Sequence, residues 1–404
     1  MTEPCALSQG EGASHAERNT HCMRSRLLTL LLVLVVSVVA SSSGQSPADK
    51  TSSLTLSLAP DEPLPGMPPV LDSNDVYSET RPGKLSLAVR GFPALLYVPN
   101  GISNTVDVIN PDTYQIIDNF PADEEPQHVV PSYDLKRLWV LNNQGDSLTP
   151  IDPSTGKKGE TVHVEDPYNL YYTPDGKYAL VVAERLRRLD FRDPQTMHLR
   201  YSLAVPCRGV NHLDYSVNGR YLIASCEFSN ELIKIDVAER KVLGRLPLPR
   251  RRGQPQDVRL SPDGKVFYVA DMRAHGVYLI DGERFTVLDF LPTGKGAHGL
   301  NISRDSKVLY VSNRGEGSIS VIDFATRKVV NKWRFPGGGS PDMGGLSVDG
   351  KVLWLGGRYH HEVYAIDTAT GQLLARIKVG KGPHGVCIYP QPGRYSLGHT
   401  GNFR

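Results

Sequence analysis

From Leu95 to Tyr389 short apolar runs alternate with compact polar turns, and no stretch keeps a helical period over several turns. Runs such as VFYVA (266–270), VLYVS (308–312) and VLWLG (352–356) are almost wholly apolar. A strand with one wet face would alternate, so these strands must be covered on both faces. The turns between them read TPDGK (173–177), SVNGR (216–220), SPDGK (261–265) and SVDGK (347–351). In several of them Pro presets φ for the first corner, and in all of them Gly supplies the positive φ that lets the chain reverse. The pattern predicts an all-β fold of many short antiparallel strands.

Two landmarks repeat through this region. An Asn or Asp closes a strand before a turn at Asn110, Asp152, Asp190, Asp236, Asp281, Asp323 and Asp367. Their side chains can accept from backbone N–H groups two residues on. A tripeptide leading into another strand begins at Pro126, Pro167, Val210, Pro255, Ala297, Pro341 and Pro383. Both markers give seven repeats, each about 40 residues long and holding four strands. Sheets buried on both faces are satisfied by stacking radially, which predicts a seven-bladed β-propeller of four-stranded antiparallel blades. A solenoid would need atypical capping repeats, and none is visible. The segment 95–120 supplies the second to fourth strands of a blade and Gly385–Tyr389 a lone inner one, so the two ends are expected to close one blade together.

Composition adds the outer boundaries. Residues 27–40 read LLTLLLVLVVSVVA, preceded by Arg24 and Arg26 and followed by Ser41, Ser42, Ser43 and Gly44. This is the order of parts of a signal peptide, and as a helix it would rise about 21 Å against a hydrocarbon core of roughly 30 Å. Residues 1–40 are therefore expected to be a cleaved export signal, with Met23 as an alternative start, and the mature protein to be secreted or associated with the cell envelope. A retained anchor is the weaker alternative. Residues 41–84, rich in Ser, Pro and Asp, are expected to form a flexible linker, and 85–404 the propeller. The formal charge of +2 offers no electrostatic trap for nucleic acid. No partner of that kind and no stable membrane span are expected, and the protein is expected to be a monomer.

The runs LLYVPNGISNTVDVINPDT, VFYVADM and VLYVSNRGEGSISVIDFATRKVV resemble the YVTN-type repeats of secreted and surface-layer propellers, the YncE-like family. The resemblance covers roughly 95–390 and implies the fold and export, but no assigned reaction. One copy departs from it at 170–196, where Arg185, Arg187 and Arg188 replace small polar turn residues.

The tripeptides gather the unusual chemistry. His128, His212, His298 and His384, with Asp257 and Asp342, are expected to converge at the mouth of the central channel. Imidazole with carboxylate suits a divalent transition metal such as Zn, Cu, Fe or Ni. The alternative is polar residues lining a water-filled channel, and the four His stand at two different places within their tripeptides, which counts against one shared shell. Metal uptake is expected to weaken below about pH 6, near the ordinary His range. On the loops of the same face Arg185, Glu227, Arg273, Arg314, Arg358 and His360 are candidates for an anionic ligand, as side chains with no local bond to make. Cys207 and Cys226, on loops of one blade, are candidates for a disulfide, leaving Cys387 free. No CxxCH, zinc-spaced Cys set, GxSxG elbow, phosphate loop or EF-hand loop is present. The function expected first is a binding or interaction module for a small ligand, an envelope polymer or a protein. The alternatives are a metal-dependent propeller enzyme of the lyase or lactone hydrolase type and a cofactor carrier.

Overall fold

A computed structural model describes residues 62–404. The expected signal peptide and the first part of the expected linker lie outside the described residues. The chain forms seven antiparallel sheets. In chain order, blade 1 is built from Leu95–Asn100, Thr105–Asn110 and Gln115–Pro121, with Cys387–Tyr389 as its innermost strand. The two ends of the repeat region thus close the ring within one blade. Blades 2 to 7 begin at Pro126, Asn169, Val210, Pro255, Ala297 and Pro341, each on its innermost strand. Blade 2 alone has a broken outer edge, where Lys157–Lys158 and Val162–His163 pair separately with the same strand. Among the described residues no helix is long and apolar enough to cross a membrane.

Packing explains the unalternating apolar runs. In blade 5, Phe267 and Val269 pack with Tyr221, Ile223 and Leu232 of blade 4. Their neighbours Val266, Tyr268 and Ala270 face the other way, onto Leu300, Leu309 and Val311 of blade 6. Every residue of that strand is buried. At about 1.5–3 kcal/mol for each fully buried large apolar side chain, blade-to-blade contact is the main stabilising term.

The linker boundary is corrected. Residues 62–84, expected within a flexible tether, form a strap across the face of the polar turns. Leu64 N–H donates to the Asn218 carbonyl (2.8 Å) and Val76 N–H to that of Pro262 (2.9 Å). The Tyr77 hydroxyl donates to the Leu260 carbonyl at 2.8 Å, and its ring is buried. These few anchors suffice because each fills a space beside an existing turn, and none needs a periodic pattern.

Beyond the last strand the C-terminal residues enter the channel from this same face. A bridge between Ser396 and Phe403 closes a small hairpin. Gly398 and His399 both have positive φ (94° and 52°), and a side chain at 398 would strike the Leu170 carbonyl. His399 N–H donates to that carbonyl (2.8 Å), and the Leu397 carbonyl accepts from Tyr172 N–H (3.0 Å). The turn at 398–399 therefore carries a histidine into the channel.

Candidate functional site

The tripeptides reach the channel through one repeated irregularity. In blades 4, 5, 6 and 7 the pairing of the first two strands skips from the first tripeptide residue to the fourth, as from Val210 to Leu213 and from Ala297 to Leu300. Blade 2 shifts between Pro126 and His128. A bulge re-aims the unpaired side chains, so in blades 4 to 7 both the second and the third tripeptide positions are freed from the ladder, whereas in blade 2 only Gln127 is skipped and His128 stays paired with Leu141. This is how His212, at a third position, and His298, at a second, both turn into the channel, so unequal placement within the tripeptides does not keep the histidines apart.

They meet closely. The ring centroids of His128 and His384 are 4.7 Å apart, those of His298 and His384 5.6 Å, and those of His128 and His212 5.7 Å. His399 joins them from the tail, 5.0 Å from His212 and 5.4 Å from His128. All five are 0–2% exposed. The cluster lies inside the channel rather than at its mouth, as had been expected. Gly385 makes room for it, since a side chain there would strike the His128 ring.

The donor atoms divide into two sets, His128 with His212 and His399, and His298 with His384 and Asp342, each set within 4.8 Å. In the first, the Tyr168 carbonyl lies 3.0 Å from His128 Nδ1. A carbonyl only accepts, so the neutral ring carries its proton on Nδ1 and turns the Nε2 lone pair inward. That Nε2, both ring nitrogens of His212 and Nδ1 of His399 have no hydrogen-bond partner among the described residues. In the second, Asp342 lies 2.8 Å from His298 Nδ1, at an angle poor for a hydrogen bond, and 3.6 Å from His384 Nε2. Arg314 Nη1 donates to both Asp342 oxygens (3.3 and 3.2 Å).

Electrostatics follow burial. It lowers the pKa of all five imidazoles below the ordinary range, and positive charge nearby adds to it: protonation of a neighbouring ring at His128, Arg314 at His298 and Arg259 at His399. Burial would raise Asp342, but Arg314, His298 and His384 outweigh it and hold the carboxyl well below the usual range. Neutral imidazoles beside an ionised carboxylate are metal-ligating forms. They persist below the pH 6 limit expected for ordinary histidines.

Asp257 is corrected. It belongs to neither set, because its oxygens accept from Val258 N–H and Leu300 N–H (both 2.9 Å). Its closest approach to the cluster is 3.5 Å from His399 Nε2. The loop candidates are corrected too, since most make local bonds. Arg185 is bound to Asp166 (2.8 Å), Asp146 (3.0 Å) and the Asn143 carbonyl (2.9 Å), which accounts for the Arg-rich departure in blade 3. Arg358 donates to Gln127 (3.2 Å), His360 Nδ1 meets Ser340 Oγ at 2.9 Å, and Arg314 serves Asp342. Glu227 accepts from Asn211 (2.7 Å) and Gln254. Arg273 is exposed. Cys207 and Cys226 are joined as a disulfide, and Cys387 is free and buried.

Tyr168 covers the cluster, with its ring edge-on to His128 and His212 (5.6 and 5.9 Å). Beside it Glu184 and Glu227 share Asn211 as donor (3.3 and 2.7 Å). Burial and then the charge of Glu227 push Glu184 up to about 8. His399 escapes a reading of the repeats because it lies past the last one, and its only local signal is the Gly398 beside it.

A family model described as YNCE-like beta-propeller matches residues 79–394. The chain belongs to the YncE-like β-propellers. Within reach of this family, antigen Lp49 of Leptospira interrogans is 23% identical over 358 residues, covering 78% of this chain and 75% of that protein. The protein YncE of Salmonella typhi is 24% identical over 270 residues, 61% of this chain and 73% of that one. Among solved structures the fold resembles hydrazine synthase of Kuenenia stuttgartiensis (TM-score 0.60, 20% identity, 68% of this chain and 92% of that chain). It also resembles the dihydro-heme d1 dehydrogenase NirN in complex with DHE (TM-score 0.57, 16% identity, 81% and 78%). At such identities these structures speak for the YncE-like architecture alone.

Proposed function

We propose that this YncE-like propeller is an exported binding module whose ligand is a divalent transition metal ion, held by the histidines inside the channel. One observation carries this reading: five imidazoles are buried together with six ring nitrogens that have no hydrogen-bond partner among the described residues and one more, His298 Nδ1, badly aligned to Asp342. An unpaired buried polar group costs about 1–3 kcal/mol. A structural role would favour pairing these atoms, whereas a bound ion with nitrogen ligands uses their lone pairs. The loop arginines favour the metal over an anionic ligand, because most already serve carboxylates or amides of the protein. Export rests on the order of parts in residues 1–44, basic residues, a short apolar run and small residues.

Catalysis is the second reading. Three protein ligands per ion leave coordination positions for water or substrate, as in catalytic zinc sites, and the protonated Glu184 stands near the covering Tyr168. The test of the first reading is elemental analysis of the purified mature protein after dialysis, with an absorption spectrum. Stoichiometric zinc, copper, iron, nickel or cobalt supports it. Metal-free protein that also takes up none of these ions on addition overturns it.

A further inference from the structure

We infer that the channel is a two-centre site: one ion bound by His128, His212 and His399, and a second, chemically different one by His298, His384 and Asp342. This rests on the proposed metal binding and goes beyond it in number, chemistry and the origin of the ligands.

Six donors are too many and too widely spread for one ion. Ligand nitrogens at about 2.0–2.1 Å from one ion must lie close to one another, and the six donor atoms do not form one mutually close group. The donors instead fall into two sets without a shared member. The sets adjoin through His128 and His384 (4.7 Å between centroids), so their ions would be neighbours, as in two-metal sites where ions stand about 3.5–4 Å apart.

The two sets differ in kind. The first is all imidazole and carries no charge of its own. Its His128 is oriented by the Tyr168 carbonyl on the ring nitrogen opposite the donor, the arrangement that fixes tautomer and direction in metal-binding histidines. Such a set suits Zn²⁺ or Cu²⁺. The second has two imidazoles and one carboxylate, the ligand set typical of non-haem iron(II), and it also suits Mn²⁺ better than the first does. Arg314 holds its carboxylate in place through both oxygens.

The two sets also differ in where they come from. His298, Asp342 and His384 all arise from repeat tripeptides, whereas the first set is completed by the hairpin turn at Gly398–His399. The first centre therefore depends on a docked C-terminus and the second does not.

The experiment is a Co²⁺ titration of the metal-free mature protein, followed by visible absorption and by metal count after gel filtration. The variants are His399→Gln, His212→Gln and His384→Gln. Each must keep the wild-type far-ultraviolet spectrum and a cooperative thermal transition. Should one fail, the corresponding Asn variant takes its place. Two equivalents are expected for the wild type and one for each single variant, with His399→Gln and His212→Gln leaving one shared spectrum and His384→Gln leaving another. One equivalent in the wild type, lost in every variant, would overturn the two-centre inference while leaving metal binding intact. No uptake by the folded wild type would refute metal binding itself. Two equivalents retained in His399→Gln would remove the tail from the site.

Discussion

The channel has two buried polar layers that are opposite in character. On the side of the strap and tail, Asp214 accepts from Asn402 Nδ2 (2.9 Å), Arg404 Nη2 (3.1 Å) and Leu260 N–H (2.8 Å). Arg304 donates to the Leu346 carbonyl (2.8 Å) and to Gln391 (3.0 Å). Further along, five equally buried histidines leave ring nitrogens without a partner. Burial and polarity are the same, and only satisfaction differs. A network whose members pair with one another is complete as it stands and holds the fold. A cluster whose members cannot pair lowers stability by itself and is explained by what it binds.

The largest effect should come from breaking the satisfied layer. Asp214→Ala leaves Arg404 buried and unpaired, and removing one partner of a buried ion pair costs about 3–5 kcal/mol. Denaturant unfolding of the metal-free protein should show this loss. A change under 1 kcal/mol would mean that the tail is not held by this residue.

Acid should act next, and through the other layer. The five histidines have folded pKa values below their unfolded ones, so the unfolded chain takes up protons first as pH falls below about 6.5, and stability declines from there down through the lowered folded values. Asp342 acts in the same direction further down: its folded pKa is depressed, so its contribution is present above the usual carboxylate range and is lost as pH falls toward the folded value. The midpoint of thermal unfolding of the metal-free protein should drop steeply between pH 6.5 and 5. The double variant His212→Ala, His384→Ala should flatten that drop.

At neutral pH the same double variant should behave unlike Asp214→Ala. It removes four unpartnered nitrogens and no hydrogen bond. Metal uptake should be abolished while stability stays within about 1 kcal/mol of wild type, because the packing lost with two buried rings is offset by removing unpaired nitrogens that cost about 1–3 kcal/mol each. Unfolding of this variant would make the histidines structural.

The smallest effect concerns Glu184 above the cluster. Its folded pKa near 8 lies above that of an ordinary carboxylate, so its relative stabilisation is complete at low pH and declines as pH rises from about 4.5 to 8. Glu184→Gln should therefore be slightly more stable than wild type at pH 8.5 and no more stable at pH 4. Equal differences at both pH values would argue against a raised Glu184.

What could be read in advance follows the repeats. Seven blades and their closure were legible because two independent landmarks share one period, and doubly buried strands show as apolar runs. Four of the five histidines were legible because they sit in those landmarks. His399 was not, since the tail obeys no period and its position depends on a turn at Gly398. The strap was hidden for the same reason: Leu64, Val76 and Tyr77 are isolated anchors in a polar stretch. The bonds of Arg185 were hidden because Asp146 and Asp166 lie 39 and 19 residues away, and meet it through the stacking of blade 2 on blade 3 and through the strand pairing within blade 3.

The most direct measurement is X-ray absorption at the zinc edge of the zinc-loaded mature protein. Ion binding by the channel histidines predicts nitrogen scatterers at about 2.0–2.1 Å with the outer-shell pattern of at least two imidazoles per zinc. That pattern should weaken in the His212→Gln and His384→Gln variants. A shell of oxygens without imidazole scattering, unchanged in those variants, would place the metal elsewhere and contradict the account.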